Sequence, residues 1–232
     1  MNRQRLLPLA VVAAALVALS GCSAAGDEAS AGGGASPTSS PASLPVDEGL
    51  VTGDGAVSVE LWTDLSCPYC AVLEETTGDD LEAWVADGTI TLALHPMNYV
   101  SAKRGDTTDY STRAANLLAL TAQAGETDAL LPLYALLQAN QVDAAGAPTD
   151  ADLLAYAAEA GVAADLTAGV EGRTMAEWVQ ESNDRWVGTV VGSDTPVDHV
   201  PLLVVDGETF EIRGDGSDAA RLREAVAAAA AE

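Results

Sequence analysis

Two cysteines three residues apart, in Cys67-Pro68-Tyr69-Cys70, are the side chains of this protein best placed to do chemistry. The attacking form of cysteine is the thiolate. A helix N-terminus favours it through unpaired N–H groups and the positive end of the helix dipole. Pro68 suits the first turn of such a helix, where its missing N–H loses no partner. Cys67 is therefore expected to be an exposed nucleophile that forms a mixed disulfide with a client. Cys70, one turn deeper, would resolve that adduct or close the ring. Two other uses of the pair stand beside redox. A structural disulfide of this spacing closes a tiny loop and stabilises little. A four-ligand zinc or copper site needs two more ligands, and beyond Cys22 the chain offers only His95 and His199.

The elements that must position the pair follow from periodicity. Val57, Val59 and Leu61 alternate with Ser58, Glu60 and Trp62, which predicts a half-buried strand running into Cys67. Ala71, Val72, Leu73, Leu81, Trp84 and Val85 predict a helix behind it, bent at Gly78. Ile90, Leu92 and Leu94 give a second strand, closed by His95-Pro96. Residues 109 to about 191 read as helical. One run covers Ala114 to Thr121 and ends at Gly125. Another covers Leu130 to Ala139, with Pro132 near its first turn. A third is capped by Thr149 or Asp150, carries Leu153, Leu154, Tyr156 and Ala157, and stops at Gly161. The last holds Trp178, Val179, Trp186 and Val187. Pro201 to Val205 is a short apolar strand, Asp206-Gly207 a two-residue hairpin turn, and Thr209, Phe210 and Ile212 the return strand. Ser217 caps a final Ala-rich helix. The order predicts an α/β unit of four strands with an all-helical insertion. Val200-Pro201 heads the third strand. Its proline cannot donate to a central ladder, so it is either a strand-edge proline or a cis proline beside the sulfurs.

The N-terminus reads as an address. Arg3 and Arg5 precede Leu6 to Leu19, a run of 14 residues without a charge, and then Ser20-Gly21-Cys22. This is the layout of a secretory signal, and it is too short for a spanning helix. Leu19-Ser20-Gly21-Cys22 resembles a bacterial lipobox, which implies cleavage before Cys22 and lipid on that residue. Ser23 to about Asp47 is rich in Ala, Gly, Ser, Pro and Thr and reads as a flexible tether. The expected organisation is a signal peptide over 1–21, a lipid-anchored linker over 22–50, and a domain over 51–232 with its helical insertion at about 105–192. With 10 Lys+Arg against 35 Asp+Glu and a net charge of −25, the chain lacks the clustered cations that nucleic-acid binding needs. Such a charge would also repel an anionic leaflet, leaving lipid on Cys22 as the membrane contact.

Taken together, these segments resemble the exported DsbA-like branch of the thioredoxin superfamily. Asp64 to Cys70 resembles its D-x-x-C-P-Y-C motif. Ser111-Thr112-Arg113-Ala114-Ala115, Leu136 to Gln141 and Asp152 to Ala157 resemble its inserted helices in order, and Val200 to Gly207 its cis-proline strand and hairpin. The resemblance covers roughly 55–230. It implies a thioredoxin fold with an inserted all-helical subdomain, Cys67 and Cys70 as the redox pair, and Pro201 as cis. Pro68, Tyr69 and Val200 would meet the client, the Val200 backbone pairing with an extended segment. It further implies oxidation of exported client proteins that carry cysteines, no cofactor, and reoxidation by a membrane quinone-linked thiol oxidoreductase. The alternatives are an extracytoplasmic reductase or isomerase, and a copper- or zinc-binding lipoprotein using Cys67 and Cys70. Some relatives carry an acid six residues before the first cysteine. Here that residue is Leu61, and Glu60 should face the other way, so a carboxylate tuning the thiols is not expected. His199 is read as a solvated loop histidine or a cation near Cys67, and His95 as structural.

Overall fold

The computed structural model describes residues 44–231; the signal, Cys22 and most of the tether lie outside them. A 3-10 turn at Val46–Glu48 leads into β1 (Leu50–Thr52) and β2 (Val57–Asp64). Then come α1 (Pro68–Ala86), β3 (Ile90–Met97) and a short α2 (Val100–Lys103). The helical stretch follows as α3 (Tyr110–Gln123), α4 (Leu130–Ala139), α5 (Asp150–Glu159), α6 (Thr167–Gly172) and α7 (Ala176–Trp186). A two-stranded ribbon, β4 (Val190–Val191) with β5 (Thr195–Pro196), precedes β6 (Leu202–Val205), β7 (Glu208–Phe210) and α8 (Asp218–Ala229).

The main sheet has the order β1-β3-β2-β6-β7. β2 and β3 run parallel with α1 as their crossover, and β6 lies antiparallel on the other side of β2, pairing Trp62 with Leu202. Strands buried on both faces lose the polar–apolar alternation, and the second half of β2, Leu61 to Asp64, is buried at every residue. One face packs Val57, Val59, Leu61, Leu92 and Leu203 against the helices of the main core. A second cluster gathers Trp62, Met97, Trp186, Val200 and Leu202 around the two cysteines.

The α/β architecture with a helical insertion between β3 and β6 is the one expected, with differences in detail. β1 is a fifth strand. It pairs Leu50 with Leu94 antiparallel at the edge of β3, across the boundary that the sequence places between linker and domain at 50–51. The helix α1 runs unbroken through Gly78, and a Cβ there would lie 2.3 Å from the Glu74 carboxylate. The hairpin turn is at Asp206-Gly207, with φ of 47° and 80°, the pair of positive angles that a type I′ turn requires. Thr149 caps α5 in a reciprocal box with Asp152. Ser217 holds the N-cap position of α8 without capping it, because its hydroxyl is bonded to Asp215. Ile212 lies past the end of β7.

Candidate active site

Strand β2 delivers the chain to the site. After Asp64 it turns, the Cys67 N–H donates to the Asp64 carbonyl at 3.0 Å, and Cys67 becomes the extended N-cap residue of α1 with Pro68 in the first turn. The Cys67 carbonyl accepts from Cys70 N–H and Ala71 N–H. Both cysteines are free thiols. Cys70 is fully buried, and Cys67 keeps only 4 % of its surface exposed, which corrects the expectation of an exposed nucleophile. Cys67 lies in a buried cluster with Trp62, Met97, Trp186, Leu202 and Val200, the last 133 residues on. The Cys67 S–H donates to the Val200 carbonyl at 3.5 Å. The Val200–Pro201 peptide is cis, the sharper of the two sequence readings.

The two sulfurs have opposite electrostatics. The Cys67 thiol is pulled down to about 7, first by the hydrogen bond from Cys70 and then, against burial, by backbone N–H groups of Cys70 and Tyr69. Cys70 is pushed well above the usual thiol range, mainly by burial and then by Cys67. Near neutral pH Cys67 carries the negative charge and Cys70 the proton, the division that attack and resolution require.

Pro68 and Tyr69 are exposed, Tyr69 to 74 %. Beside them runs a groove of about 780 Å³ lined by Tyr69, Val72, Leu73, His199, Val200 and Pro201. The sequence-selected residues Cys67, Cys70, Pro68, Tyr69, Val200 and Pro201 thus converge from two distant segments. Cys22 lies outside the described residues. A larger cleft of about 990 Å³, lined by Asp54, Asp79, Glu82 and Asp128 among others, holds no thiol. His199 is solvated and bonded through Nδ1 to Asp198 at 2.6 Å. His95 is buried, stacked on Trp62 at 4.6 Å and held by Glu60 at 3.2 Å, so Glu60 does face away from Leu61.

Sequence reasoning missed two features. Asp64 is a buried carboxylate three residues before Cys67. It accepts from Ser66 N–H, Val100 N–H and Ser111 Oγ, tying the active-site turn to α2 and α3. Burial raises it to about 6 despite those bonds, and its charge in turn raises Cys67. The second feature is a polar chain behind Cys70, made of Thr63, Tyr134, Gln138 and Gln141. The Thr63 and Tyr134 hydroxyls lie 2.7 Å apart. The Gln138 amide reaches both, and Gln141 joins Gln138 to the Cys67 carbonyl. Leu136 to Gln141 carries a family-like pattern, but nothing in its spacing says which side chains meet β2.

A family model described as thioredoxin matches residues 47–226. No curated protein matches the sequence. Solved structures do. DsbA from Mycobacterium tuberculosis in its reduced form superposes with a TM-score of 0.61 at 17 % identity, covering 79 % of this chain and 98 % of that one. DsbG from the same organism gives 0.58 at 21 %, covering 78 % and 88 %. MdbA, a thiol-disulfide oxidoreductase from Corynebacterium matruchotii, gives 0.58 at 19 %, covering 71 % and 81 %. At these identities the likeness is one of fold. With its family model spanning nearly all of the described domain, this chain belongs to the thioredoxin family.

Proposed function

We propose that the protein is an extracytoplasmic thiol–disulfide oxidoreductase, tethered to the membrane through lipid on Cys22, that oxidises exported proteins carrying cysteine pairs. One observation carries the reading: an acidic thiol at the N-cap of α1, backed by a buried partner thiol and facing the Val200 carbonyl just ahead of cis Pro201. In the oxidised protein a client thiolate attacks Cys67 Sγ and forms a mixed disulfide, and Cys70 leaves with the electron pair and takes up a proton. A second client thiolate then attacks the client sulfur and expels the Cys67 thiolate. The client gains a disulfide, and its two electrons reside on the pair, with Cys70 as the thiol and Cys67 released as the thiolate. The client backbone would pair with Val200, displacing the Cys67 contact, while its side chains lie along the groove beside Tyr69. A membrane quinone-linked thiol oxidoreductase would restore the disulfide.

The experiment is capture by a Cys70→Ala variant in a bacterial envelope. Mixed disulfides through Cys67 should accumulate and vanish on adding Cys67→Ala. Absence of adducts from folded protein would refute the reading. One observation favours a second direction. A Cys67 thiol near 7 resembles thioredoxin's more than the value near 3.5 of a strong oxidant, so the reduced form is only mildly stabilised. A potential near roughly −270 mV would assign the protein to reduction or isomerisation, and one near roughly −120 mV to oxidation. Among the described residues, no group of three or more His, Cys, Asp and Glu is arranged to hold a metal ion.

A further inference from the structure

We infer that Arg104 and Gln141 are positioning residues. From the helical stretch between β3 and β6 they hold the two carbonyls on either side of Cys67, and so keep its sulfur within bonding reach of Cys70. This deepens the thiol–disulfide reading above and rests on it for its functional meaning.

Cys67 is weakly anchored by its own helix. It is the N-cap residue of α1, with φ of −86° and ψ of 114°, outside helical geometry. Pro68 brings no N–H, and no side chain caps this end. The chain is held from outside the helix instead. Ser66 N–H donates to the Asp64 carboxylate at 2.9 Å, and Cys67 N–H to the Asp64 carbonyl at 3.0 Å. The Ser66 carbonyl accepts from Arg104 Nη1 at 2.7 Å, and the Cys67 carbonyl from Gln141 Nε2 at 2.9 Å. All four polar backbone groups of Ser66 and Cys67 therefore have partners. A carbonyl only accepts and a guanidinium only donates, so both outer bonds have one possible direction.

The two donors come from 38 and 74 residues further along the chain. Each is supported in turn. Arg104 closes α2, whose first N–H, that of Val100, is held by the Asp64 carboxylate. Gln141 Nε2 also lies 2.6 Å from Oε1 of the buried Gln138. The held carbonyls belong to the peptide planes before and after the Cys67 Cα. Fixing both planes fixes the direction of its Cα–Cβ bond. The sulfur can then move between the Val200 carbonyl, a client and Cys70 by side-chain rotation, with the backbone at rest.

The consequence is thermodynamic. Closing the Cys67–Cys70 bond costs the freedom of the open dithiol. A dithiol already held in place has little freedom left to lose, so the clamp favours the disulfide. Without it the reduced chain gains freedom, while the oxidised chain stays tied by its own bond. Loss of either donor should move the balance toward the dithiol. It should also destabilise the oxidised protein more than the reduced, because only the reduced form recovers freedom in exchange.

The test equilibrates the full-length protein in glutathione buffers of graded ratio. Protein dithiol and one glutathione disulfide give protein disulfide and two glutathione thiols. Gln141→Leu changes no charge. It should lower the constant for forming the protein disulfide about two- to tenfold, the span of one net hydrogen bond. Arg104→Met should act in the same direction. Loss of its charge alone would weaken the Cys67 thiolate and push the balance the other way, so a shift toward the dithiol reads the clamp. Arg104→Lys keeps the charge and a donor and should restore most of the constant. In urea each variant should cost more stability oxidised than reduced, whereas a merely structural contact costs both forms alike. Arg104 is exposed and serves if Gln141→Leu does not fold. Folded variants with an unchanged constant, or with equal cost in the two forms, overturn the proposal. The equilibrium needs no client, so it can fail while Cys70→Ala trapping succeeds, and the reverse.

Discussion

Replacing Asp64 with Asn should alter stability in a pH-dependent way whose size follows from burial. The wild-type carboxyl is fully buried and raised from 3.8 to about 6, with burial as the main cause. A raised acid binds its proton more tightly in the folded state. Its contribution is thus fully present below about 3.8 and is lost as pH rises through about 6. About two pH units correspond to about 3 kcal/mol. Asn cannot ionise, so it removes this loss. It also replaces one acceptor oxygen with a donor, opposing a backbone N–H of Ser66 or Val100 and costing about 1–3 kcal/mol at every pH. Asp64→Asn should therefore be the less stable protein at pH 4. The gap should shrink by about 2–3 kcal/mol on going to pH 8. Urea unfolding of both proteins at one-unit steps measures it, and Glu74, which titrates in both, cancels. A difference that stays flat from pH 4 to 8, or widens with pH, would refute the argument that burial rather than hydrogen bonding governs this carboxyl. A second readout comes from the thiols. Removing a like charge beside Cys67 should bring its titration below about 7.

Three further outcomes are expected. Glu74 is raised to about 7 by burial and by Glu82 and Asp79, so Glu74→Gln should gain stability over wild type above pH 7 and lose that advantage below pH 5, as read by urea midpoints. Gly49 has φ of 68°, and a Cβ there would sit 2.6 Å from the Leu94 carbonyl. Gly49→Ala should lower stability by about 1–3 kcal/mol, and a midpoint within error of wild type would contradict the packing. Fed a labelled fatty acid, cells should tag the wild-type chain and leave Cys22→Ala untagged; equal label in both would remove the lipid tether.

What the sequence made legible was local. Alternation in Val57 to Trp62, the Leu130–Ala139 run and the Asp206-Gly207 turn each answer to neighbours a few residues away, and each stands where its pattern placed it. Cys67 and Cys70 were legible for the same reason, since spacing and a following proline carry their chemistry. What was not legible is set by residues far apart in the chain. Cys67 is buried in a cluster that includes Trp186, Val200 and Leu202, more than a hundred residues on, and no local pattern encodes those neighbours. Asp64 opens the D-x-x-C-P-Y-C motif, but its burial is set by Val100 and Ser111, which close over it from far along the chain. β1, three residues long, offers too few positions for alternation to show. Position 61, where some relatives carry an acid, is Leu in this chain, and the buried carboxylate near the thiols is Asp64 instead.

The short clasp of β1 on β3 has a practical consequence. Leu50, Val51 and Thr52 occupy the outer backbone groups of β3, while Leu44 accepts a bond from the Trp178 indole and Asp47 pairs with Arg185. A protease that cut ahead of Leu44 would release a body with its sheet margin still sealed. One that cut just after Thr52 would bare a row of unpaired amides flanked by leucines, an open template on which a second molecule could zip up.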